Sequence, residues 1–248
     1  MKYFLILIFF TVNFSFSQVN LNDGPINTLL FGLNYKANYT GGDLSKKWGF
    51  TNHLGADVNY KFENNVTIGL DGGFLFGKQL RSDDAFKYVI NSFGQITSLT
   101  GDPASVLILM RGATAHFDFG YVFNRFGNNP NSGIWVKAGG GFLMHKSRIE
   151  SLYDDVPQLE GEYRKGYDEL TMGVSTKQFV GYLFQANRRL IKMYAGFEFV
   201  QGFTKNVRSY NFALGGPDNS SKFDMMYGFK VGYIIPIYKR TRTQYYTD

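Results

Sequence analysis

Cysteine is absent from the 248-residue chain, and only 19% of its positions are charged. The chain therefore has no disulfide, no thiolate zinc site, no cysteine nucleophile and no lipidated N-terminal cysteine. The low charge does not indicate disorder, because aromatic residues make up 18% of positions and a chain so rich in rings must fold. The formal net charge is +6, but the lysines and arginines are scattered along the chain. We therefore expect no nucleic-acid interface.

Long apolar runs are missing after the first residues. Residues 1–17 carry one positive charge at Lys2, then the apolar run Phe4–Phe10 and small residues up to Ser17. This pattern predicts a secretory signal peptide cleaved before Gln18. Beyond it, the longest strictly aliphatic stretch is Val106–Met110, which is far too short for a membrane-spanning helix. We expect an exported protein without a helical span.

Glycine is abundant, at 29 residues, and most of the remaining sequence alternates with a period of two. One row is apolar and strongly aromatic, and the other holds glycines and isolated charged residues. This period is typical of β-strands. Eight such segments are predicted: 29–39, 53–62, 66–76, 113–123, 134–144, 170–184, 191–200 and 223–237. In the sixth, Thr176, Lys177 and Gln178 break the apolar row, which suggests a β-bulge.

Two architectures are compatible with this alternation. A soluble β-sandwich would place its apolar row in the core and a well-charged row outside. A membrane barrel places its apolar row against lipid and fits the other row into a narrow lumen, which favours glycine and requires paired polar groups. The connections alternate between long (40–47, 78–104, 148–168, 204–221) and short, which is typical of extracellular loops and periplasmic turns.

The sequence therefore predicts an all-β fold: an eight-stranded antiparallel up-and-down transmembrane β-barrel over residues 18–239, with a polar tail at 240–248. The expected location is the outer membrane, with both termini periplasmic. Aromatic residues at the turn-side strand ends are expected to form an interfacial girdle. They are Tyr60, Phe62, Tyr121, Phe123, Tyr182, Phe184 and Tyr238.

The inward row predicts a polar network that fills the lumen. An interior of eight strands is wide enough only for side chains, and isolated buried charges are costly, so these groups should pair. The predicted members are Lys36, Asp57, Lys61, Asp71, His116, Asp118, Lys137, Lys192, Glu198, Asp224 and Lys230. Lys177 falls on the same row, and so do His53 and His145.

Two alternatives to this structural role remain open. The first alternative is an enzyme that modifies lipid A, because His145 and Ser147 lie two residues apart near the outer rim, where barrel enzymes of this kind place their catalytic groups. The second alternative is a narrow path for ions or small solutes. We expect no catalytic site, cofactor or metal.

In the third long connection, Asp154 and Asp155 could bind Ca²⁺ or Mg²⁺, but a solvated acidic loop fits better because the spaced calcium-loop pattern is missing. In the second, Ala85–Ile90 and Phe93 are unusually apolar and either fold over the barrel mouth or meet a partner protein.

Three further stretches resemble the small outer-membrane barrels of Bacteroidota. They are Lys177–Tyr182, Tyr194–Phe199 and the closing Gly232–Arg240, together with the leader ending Phe16–Gln18. The resemblance implies a barrel that is an accessory part of an envelope machine, such as type IX secretion or barrel assembly, and it supplies no catalytic residue. We therefore expect a non-enzymatic scaffold whose partners are outer-membrane lipids, lipopolysaccharide and other envelope proteins.

Overall fold

A computed structural model describes residues 21, 24–81, 86–151, 155–186 and 192–238, and of Tyr238 only the backbone. These residues form one closed barrel in which each strand pairs with its sequence neighbours and the first strand pairs with the last. Every pairing is antiparallel. The strands are β1 (Thr28–Gly42), β2 (Phe50–Lys61), β3 (Val66–Gly77), β4 (Val106–Phe123), β5 (Gly133–Ser151), β6 (Thr171–Gln185), β7 (Lys192–Asn206) and β8 (Ser221–Tyr238).

The predicted inversion of inside and outside is confirmed by the burial of the strands. Along β1, Leu33 is 64% exposed and its neighbour Asn34 is 2% exposed. The same contrast places Leu54 and Leu70 outside and Asp57 and Asp71 inside. An apolar exterior around a polar interior excludes the soluble sandwich, whose apolar row would be buried.

Three strands extend six or seven residues further toward the long connections than the alternation predicted. β4 begins at Val106, β5 ends at Ser151 and β7 ends at Asn206. The first of these extensions begins with the continuous aliphatic run Val106–Met110, which shows no alternation. In the other two, the outward row changes to Lys146, Arg148 and Lys205, so the apolar contrast that marked the strands is lost.

The predicted β-bulge in the sixth segment is wrong. β6 pairs residue by residue with both neighbours, from Leu183 opposite Gly133 to Thr171 opposite His145, without an extra residue. Thr176 and Gln178 lie on the outward row, while Lys177 is buried inside. The apolar row was interrupted because its outward positions are polar here, and the strand pairing is intact.

The two ends of the barrel differ. One end, called here the turn end, carries connections 62–65, 124–132 and 186–191, and the other, the loop end, carries 43–49, 78–105, 152–170 and 207–220. Along the chain, each loop-end connection is longer than the turn-end connections next to it, as expected, although 43–49 is shorter than 124–132. Two short helices lie in the loops, α1 (Leu44–Lys47) and α2 (Arg164–Tyr167), and 3₁₀ turns occur at Asn124–Phe126 and Pro157–Leu159.

Glycine permits close contact between neighbouring strands inside the barrel. Gly181 of β6 lies directly opposite Gly196 of β7. A Cβ atom on Gly196 would lie 2.4 Å from the Gly181 Cα atom and equally close to the Val180 carbonyl oxygen. Because these are backbone atoms, no side-chain movement would relieve the clash, and both positions require glycine.

Several predictions concern residues outside the described part of the chain. They include the signal peptide at 1–17, the tail at 240–248, Ala85 of the second loop and Asp154 of the third. Among the helices that the structure describes, none has the length and apolar character needed to cross a membrane.

Candidate functional site

A ring of charged side chains crosses the middle of the lumen. Each of the eight strands contributes one member, and all are buried. We call this set the central network; it consists of Lys36, Asp57, Asp71, Asp118, Lys137, Lys177, Glu198 and Lys230. Four lysines balance four acids, so the ring is formally neutral.

Asp71 lies at the centre of this network. Its carboxylate oxygens lie 3.0 Å from Lys36 Nζ, 3.1 Å from Lys177 Nζ and 2.6 Å from Lys230 Nζ. Glu198 pairs with two of the same lysines: its carboxylate lies 2.7 Å from Lys36 Nζ and 3.1 Å from Lys230 Nζ. Charges removed from water are tolerated only when opposite charges and hydrogen bonds replace the lost hydration, and this arrangement supplies both.

Asp118 and Asp57 extend the network to its edges. Asp118 accepts from Lys177 at 2.7 Å. Asp57 accepts hydrogen bonds from the Tyr194 hydroxyl, from Asn34 Nδ2 at 2.8 Å and from Asn59 Nδ2 at 2.6 Å. Asp57 is therefore satisfied by neutral donors, and no lysine pairs with it among the described residues.

Lys137 occupies a different environment from the other three lysines. Its Nζ atom is 3.7 Å from Asp118 and makes no hydrogen bond within the described part of the chain. Instead it lies 4.1 Å from the centroid of the Trp135 ring, 5.3 Å from that of Phe179 and 5.6 Å from that of Tyr194. These rings stabilise the cation through their negative faces.

Apolar layers close the lumen on both sides of the central network. The turn-end layer consists of Leu30, Val122, Trp135, Phe179, Leu183, Tyr194 and Ile234. The loop-end layer consists of Leu44, Trp48, Leu75, Met110, Leu143, Val200 and Met226. All of these side chains are almost completely buried. The interior is thus packed with side chains through successive layers, as expected of a narrow eight-stranded barrel.

The structure places all eleven predicted network residues inside, but it does not bring all of them together. Lys61 lies near the turn end, where its Nζ donates to Asn131 Oδ1 at 3.0 Å. Lys192 is buried at the start of β7, outside the central network. His116 hydrogen-bonds to Ser175 Oγ at 2.9 Å through Nε2, and Asp224 lies at the loop end.

Sequence reasoning placed Lys177 on the inward row without naming it among the eleven network residues, and it missed Asn34 and Tyr194 as partners. Lys177 has the same parity as the buried Ser175 and Phe179, so its strand position was a sufficient signal despite the supposed bulge. The other two carry neutral side chains whose role depends on the register between distant strands. No signal within their own segments identifies them.

The two buried histidines of the inner wall have neutral partners. His53 contacts Thr114 Oγ1 at 2.9 Å, as His116 contacts Ser175. Although His116 and Asp118 share a face of β4, no hydrogen bond joins them. These histidines are therefore positioned as packing groups, without the carboxylate that orients a catalytic base.

A cavity of about 390 Å³ opens at the loop end between α1, β5 and β8. Its lining includes His145, Ser147 and Asp224. His145 Nε2 lies 2.9 Å from Asp224 Oδ2, which also accepts a hydrogen bond from Thr204. Ser147 is buried on the same inward row, but its hydroxyl makes no hydrogen bond with His145. His145 and Ser147, the pair of the enzymatic alternative, thus share a cavity without the contact that would activate the serine.

The floor of this cavity is held by an ion pair between two loops. Lys47 Nζ lies 2.9 Å from Glu169 Oε2, and Asn211 Nδ2 donates to Glu169 Oε1 at 3.0 Å. Burial alone would raise the pKa of Glu169, but Lys47 and these hydrogen bonds outweigh it and lower the pKa below 4.5. Glu169 therefore stays ionised at neutral pH and links the first and third loops.

The long loops form a folded cap with its own core. Its apolar members are Phe86, Ile149, Val156, Leu159, Tyr167 and Ala213. The Phe86 ring stacks on Tyr167 at 5.4 Å, and Tyr167 packs against Phe212 at 4.6 Å. Arg208 forms a two-pronged pair with Asp168 between the third and fourth loops. The contact with Asp168 raises the pKa of Arg208, so the guanidinium stays charged.

The second long loop was expected either to fold over the barrel mouth or to meet a partner protein, and its apolar residues differ in this respect. Phe86 folds inward over the barrel mouth, whereas Phe93 is 85% exposed and Tyr88 is also exposed. Asp155 of the suggested cation site is exposed. In the described residues, no group of three histidine, aspartate or glutamate side chains is close enough to hold a metal.

The outer wall carries an apolar belt. Its exposed side chains come from all eight strands and include Phe31, Leu54, Leu70, Phe117, Phe142, Val180, Phe197 and Ile235. At the turn end, aromatic pairs close the belt, with Tyr60 against Phe62 at 4.8 Å and Tyr121 against Phe123 at 4.9 Å. At the loop end, outward cations replace the apolar residues: Arg111 lies directly opposite Lys146.

No model of a known protein family matches the chain, and no curated protein sequence matches it. Solved structures do match at low identity. Ail, the attachment invasion locus protein of Yersinia pestis, is 9% identical over 85% of this chain and 99% of its own, with a TM-score of 0.44. The outer membrane protein OprG from Pseudomonas aeruginosa is 12% identical over 89% and 100%, with a TM-score of 0.39. Neisserial surface protein A is 11% identical over 83% and 96%, with a TM-score of 0.35. The closed eight-stranded antiparallel architecture is established by the strand pairing of this chain itself.

Proposed function

We propose that this protein is a non-enzymatic, non-conducting outer-membrane β-barrel that acts as a scaffold or accessory subunit of a cell-envelope complex. Its working surfaces are then the outer wall and the cap. The resemblance of Lys177–Tyr182, Tyr194–Phe199 and Gly232–Arg240 to Bacteroidota barrels favours secretion, type IX secretion included, or outer-membrane assembly as the process served.

The outer-membrane location is supported by the wall of the barrel. An exposed apolar belt is unfavourable in water and favourable against lipid hydrocarbon. Closure of the barrel also pairs every strand on both sides, so no strand edge with unpaired backbone groups faces the hydrocarbon. The aromatic pairs at the turn end fit the headgroup boundary. In this proposal the loop end faces the cell exterior.

The filled lumen is the observation that carries the proposal. Two apolar layers and a neutral central network occupy the interior, so ions and solutes have no wide polar path through it. The proposed function is therefore carried out by the outer wall and the cap. Planar-bilayer recordings of the folded protein should show no conductance steps. Steady single-channel currents would overturn the non-conducting assignment.

The cap supports contact with another envelope protein. Phe93 is 85% exposed and Tyr88 is 72% exposed, and both lie on the loop whose Phe86 belongs to the core of the cap. Rigid exposed aromatic residues are typical of contact surfaces because they bury a large area at little entropic cost. The interaction is expected at the loop end.

Two exposed phenylalanines at opposite ends of the barrel provide a matched test. A photoreactive residue at Phe93, in the cap, should cross-link a defined envelope protein in living cells. The same residue at Phe126, exposed in the 3₁₀ turn of the turn end, should not yield that adduct. If neither position cross-links and the gently extracted protein always migrates alone, the scaffold assignment fails.

The geometry of the rim cavity supports a structural role for His145. Its Nε2 atom is engaged by Asp224, and Ser147 is not bonded to it. Lipid A mass spectra of cells with and without the gene should therefore be identical. A lipid A species that depends on Ser147 would instead establish the enzymatic alternative.

Lipopolysaccharide is the proposed lipid partner. Arg111 and Lys146 face outward, side by side, just beyond the apolar belt at the loop end. Like charges at opposed cross-strand positions repel, and the Asp168 carboxylate, 3.8 Å from Lys146 Nζ, offsets only part of this charge. A phosphate group between Arg111 and Lys146 would relieve the remaining cost. Phosphorylated lipid headgroups lie at this height of the membrane.

A further inference from the structure

A polar cluster interrupts the apolar belt on the outer wall of β6 and β7. It consists of Thr176, Gln178 and Gln201, and we call it the glutamine patch. Thr176 donates a hydrogen bond to Gln201 Oε1 at 2.7 Å, and Gln201 Nε2 donates to Gln178 Oε1 at 2.9 Å. These are outward positions, since Ser175, Lys177 and Phe179 between and beside them are buried inside.

The patch lies within the belt and away from both rims. Along β6 it is bracketed by Val174, 65% exposed, and Val180, 54% exposed. Along β7 the exposed rings of Phe199 and Phe203 flank Gln201 in the same way. Two carboxamides and a hydroxyl are therefore surrounded on the wall by side chains suited to hydrocarbon.

The hydrogen bonds inside the patch do not satisfy it. A carboxamide offers two N–H donors and an oxygen with two acceptor sites. Gln178 Nε2 has no acceptor within reach among the residues that the structure describes, and only its oxygen is used. In lipid, no water replaces the missing partner, so an unpaired amide group is costly there. The patch is thus complete only when another molecule supplies acceptors.

Small neighbours leave room for close approach. On β5, Gly140 lies opposite Thr176 and Ala138 lies opposite Gln178, and both face outward. A Cβ atom added at Gly140 would meet nothing closer than 4.0 Å, so this part of the wall is open. Small residues beside polar ones are the combination that lets membrane-embedded surfaces pack and hydrogen-bond across an interface.

We propose that the glutamine patch is the centre of a two-fold interface between two copies of this barrel. A carboxamide is self-complementary: rotation by 180° places the N–H of one copy against the carbonyl oxygen of the other. The patch carries no charge that would select an oppositely charged partner. A two-fold axis along the membrane normal also keeps both loop ends on one side, as insertion requires.

The absence of native cysteine permits a direct test by site-specific cross-linking. Val180→Cys places a thiol on β6 next to the patch, and Leu54→Cys places an equally exposed thiol on β2, four strands away around the barrel. In native membranes treated with a short thiol cross-linker, Val180→Cys should give covalent dimer at least tenfold more efficiently than Leu54→Cys. Equal yields at the two positions would overturn the proposal.

A second set of variants separates the interface from folding. Gln178→Leu and Gln201→Leu put an aliphatic side chain on a lipid-facing position, so the barrel should still fold and keep its heat-modifiable migration on gels. Combined with Val180→Cys, they should reduce the cross-linked dimer at least fivefold. Undiminished dimer would show that the glutamines do not hold the interface, and cross-linking only to a different protein would exclude the second copy as the occupant.

Discussion

Removing the charge of Asp71 should be one of the most destabilising isosteric changes in this barrel. Asp71→Asn keeps the size of the side chain but leaves Lys36, Lys177 and Lys230 without the carboxylate that lies 2.6 to 3.1 Å from each of them. Breaking a buried ion pair by removing one partner costs about 3–5 kcal/mol. Because three lysines share this carboxylate, we expect a loss at the upper end of that range.

A compensating change tests whether the loss comes from uncompensated charge. In Asp71→Asn with Lys230→Met, the remaining network is again neutral, and Lys36 keeps Glu198 at 2.7 Å while Lys177 keeps Asp118 at 2.7 Å. Neutral replacement of a buried ion pair is often tolerated or stabilising. The double variant should therefore recover at least about 2 kcal/mol of the single variant's loss.

The assay uses the protein's own fluorescence. Trp48 and Trp135 are its only tryptophans and both are buried inside the barrel, so their emission should report unfolding in urea titrations of the protein reconstituted in vesicles. A single-variant loss below about 1 kcal/mol, which is the size expected of an exposed ion pair, would refute a stabilising central network. So would a double variant less stable than the single one.

Three further outcomes are expected. Gly196→Ala should destabilise the barrel by about 1–3 kcal/mol or prevent its folding, because its Cβ meets backbone atoms, while Gly140→Ala should change stability by no more than about 0.5 kcal/mol; urea titration compares the two, and equal losses would contradict the close strand contact. Since the pKa of Glu169 in the folded cap lies below 4.5, its contribution is complete above that pH and is lost as the pH falls through the folded value; proteolysis of the loops should accelerate below pH 4.5, and Glu169→Gln should be protease-sensitive already at pH 7. Arg111→Ala with Lys146→Ala should weaken lipopolysaccharide binding by about 2 kcal/mol, roughly thirtyfold, in titrations with detergent-dispersed lipopolysaccharide, and unchanged affinity would remove these residues from the lipid contact.

The strands were predictable wherever one row meets lipid and the other does not. Leu33 and Asn34 differ so sharply in environment that the sequence alternates visibly there. Beyond the belt, at Lys146 and Lys205, the wall faces a polar medium, so the strand continues without the alternation that would reveal it. Strand existence therefore followed from the sequence, and strand length did not.

The inward position of the charged residues was also predictable, but their pairing was not. Parity along one strand places Asp71 and Lys230 inside. That they meet at 2.6 Å depends on the tilt and register of strands far apart in the chain, which no local pattern encodes. The same holds for Tyr194 and Asp57, which are brought together across the lumen.

The distribution of charges among the strands has a consequence for how the barrel is completed. Within the central network, the first seven strands bring Lys36, Lys137 and Lys177 against four acids, so this network holds one acid more than its cations until the last strand arrives. The missing cation, Lys230, is on the final strand, and it reaches Asp71 and Glu198 only when β8 has zipped onto β1 and β7. Arrival of the last strand thus closes the cylinder and balances the charge of the central network in one event, so an unfinished barrel differs from a finished one in the charge that this layer must hold away from water.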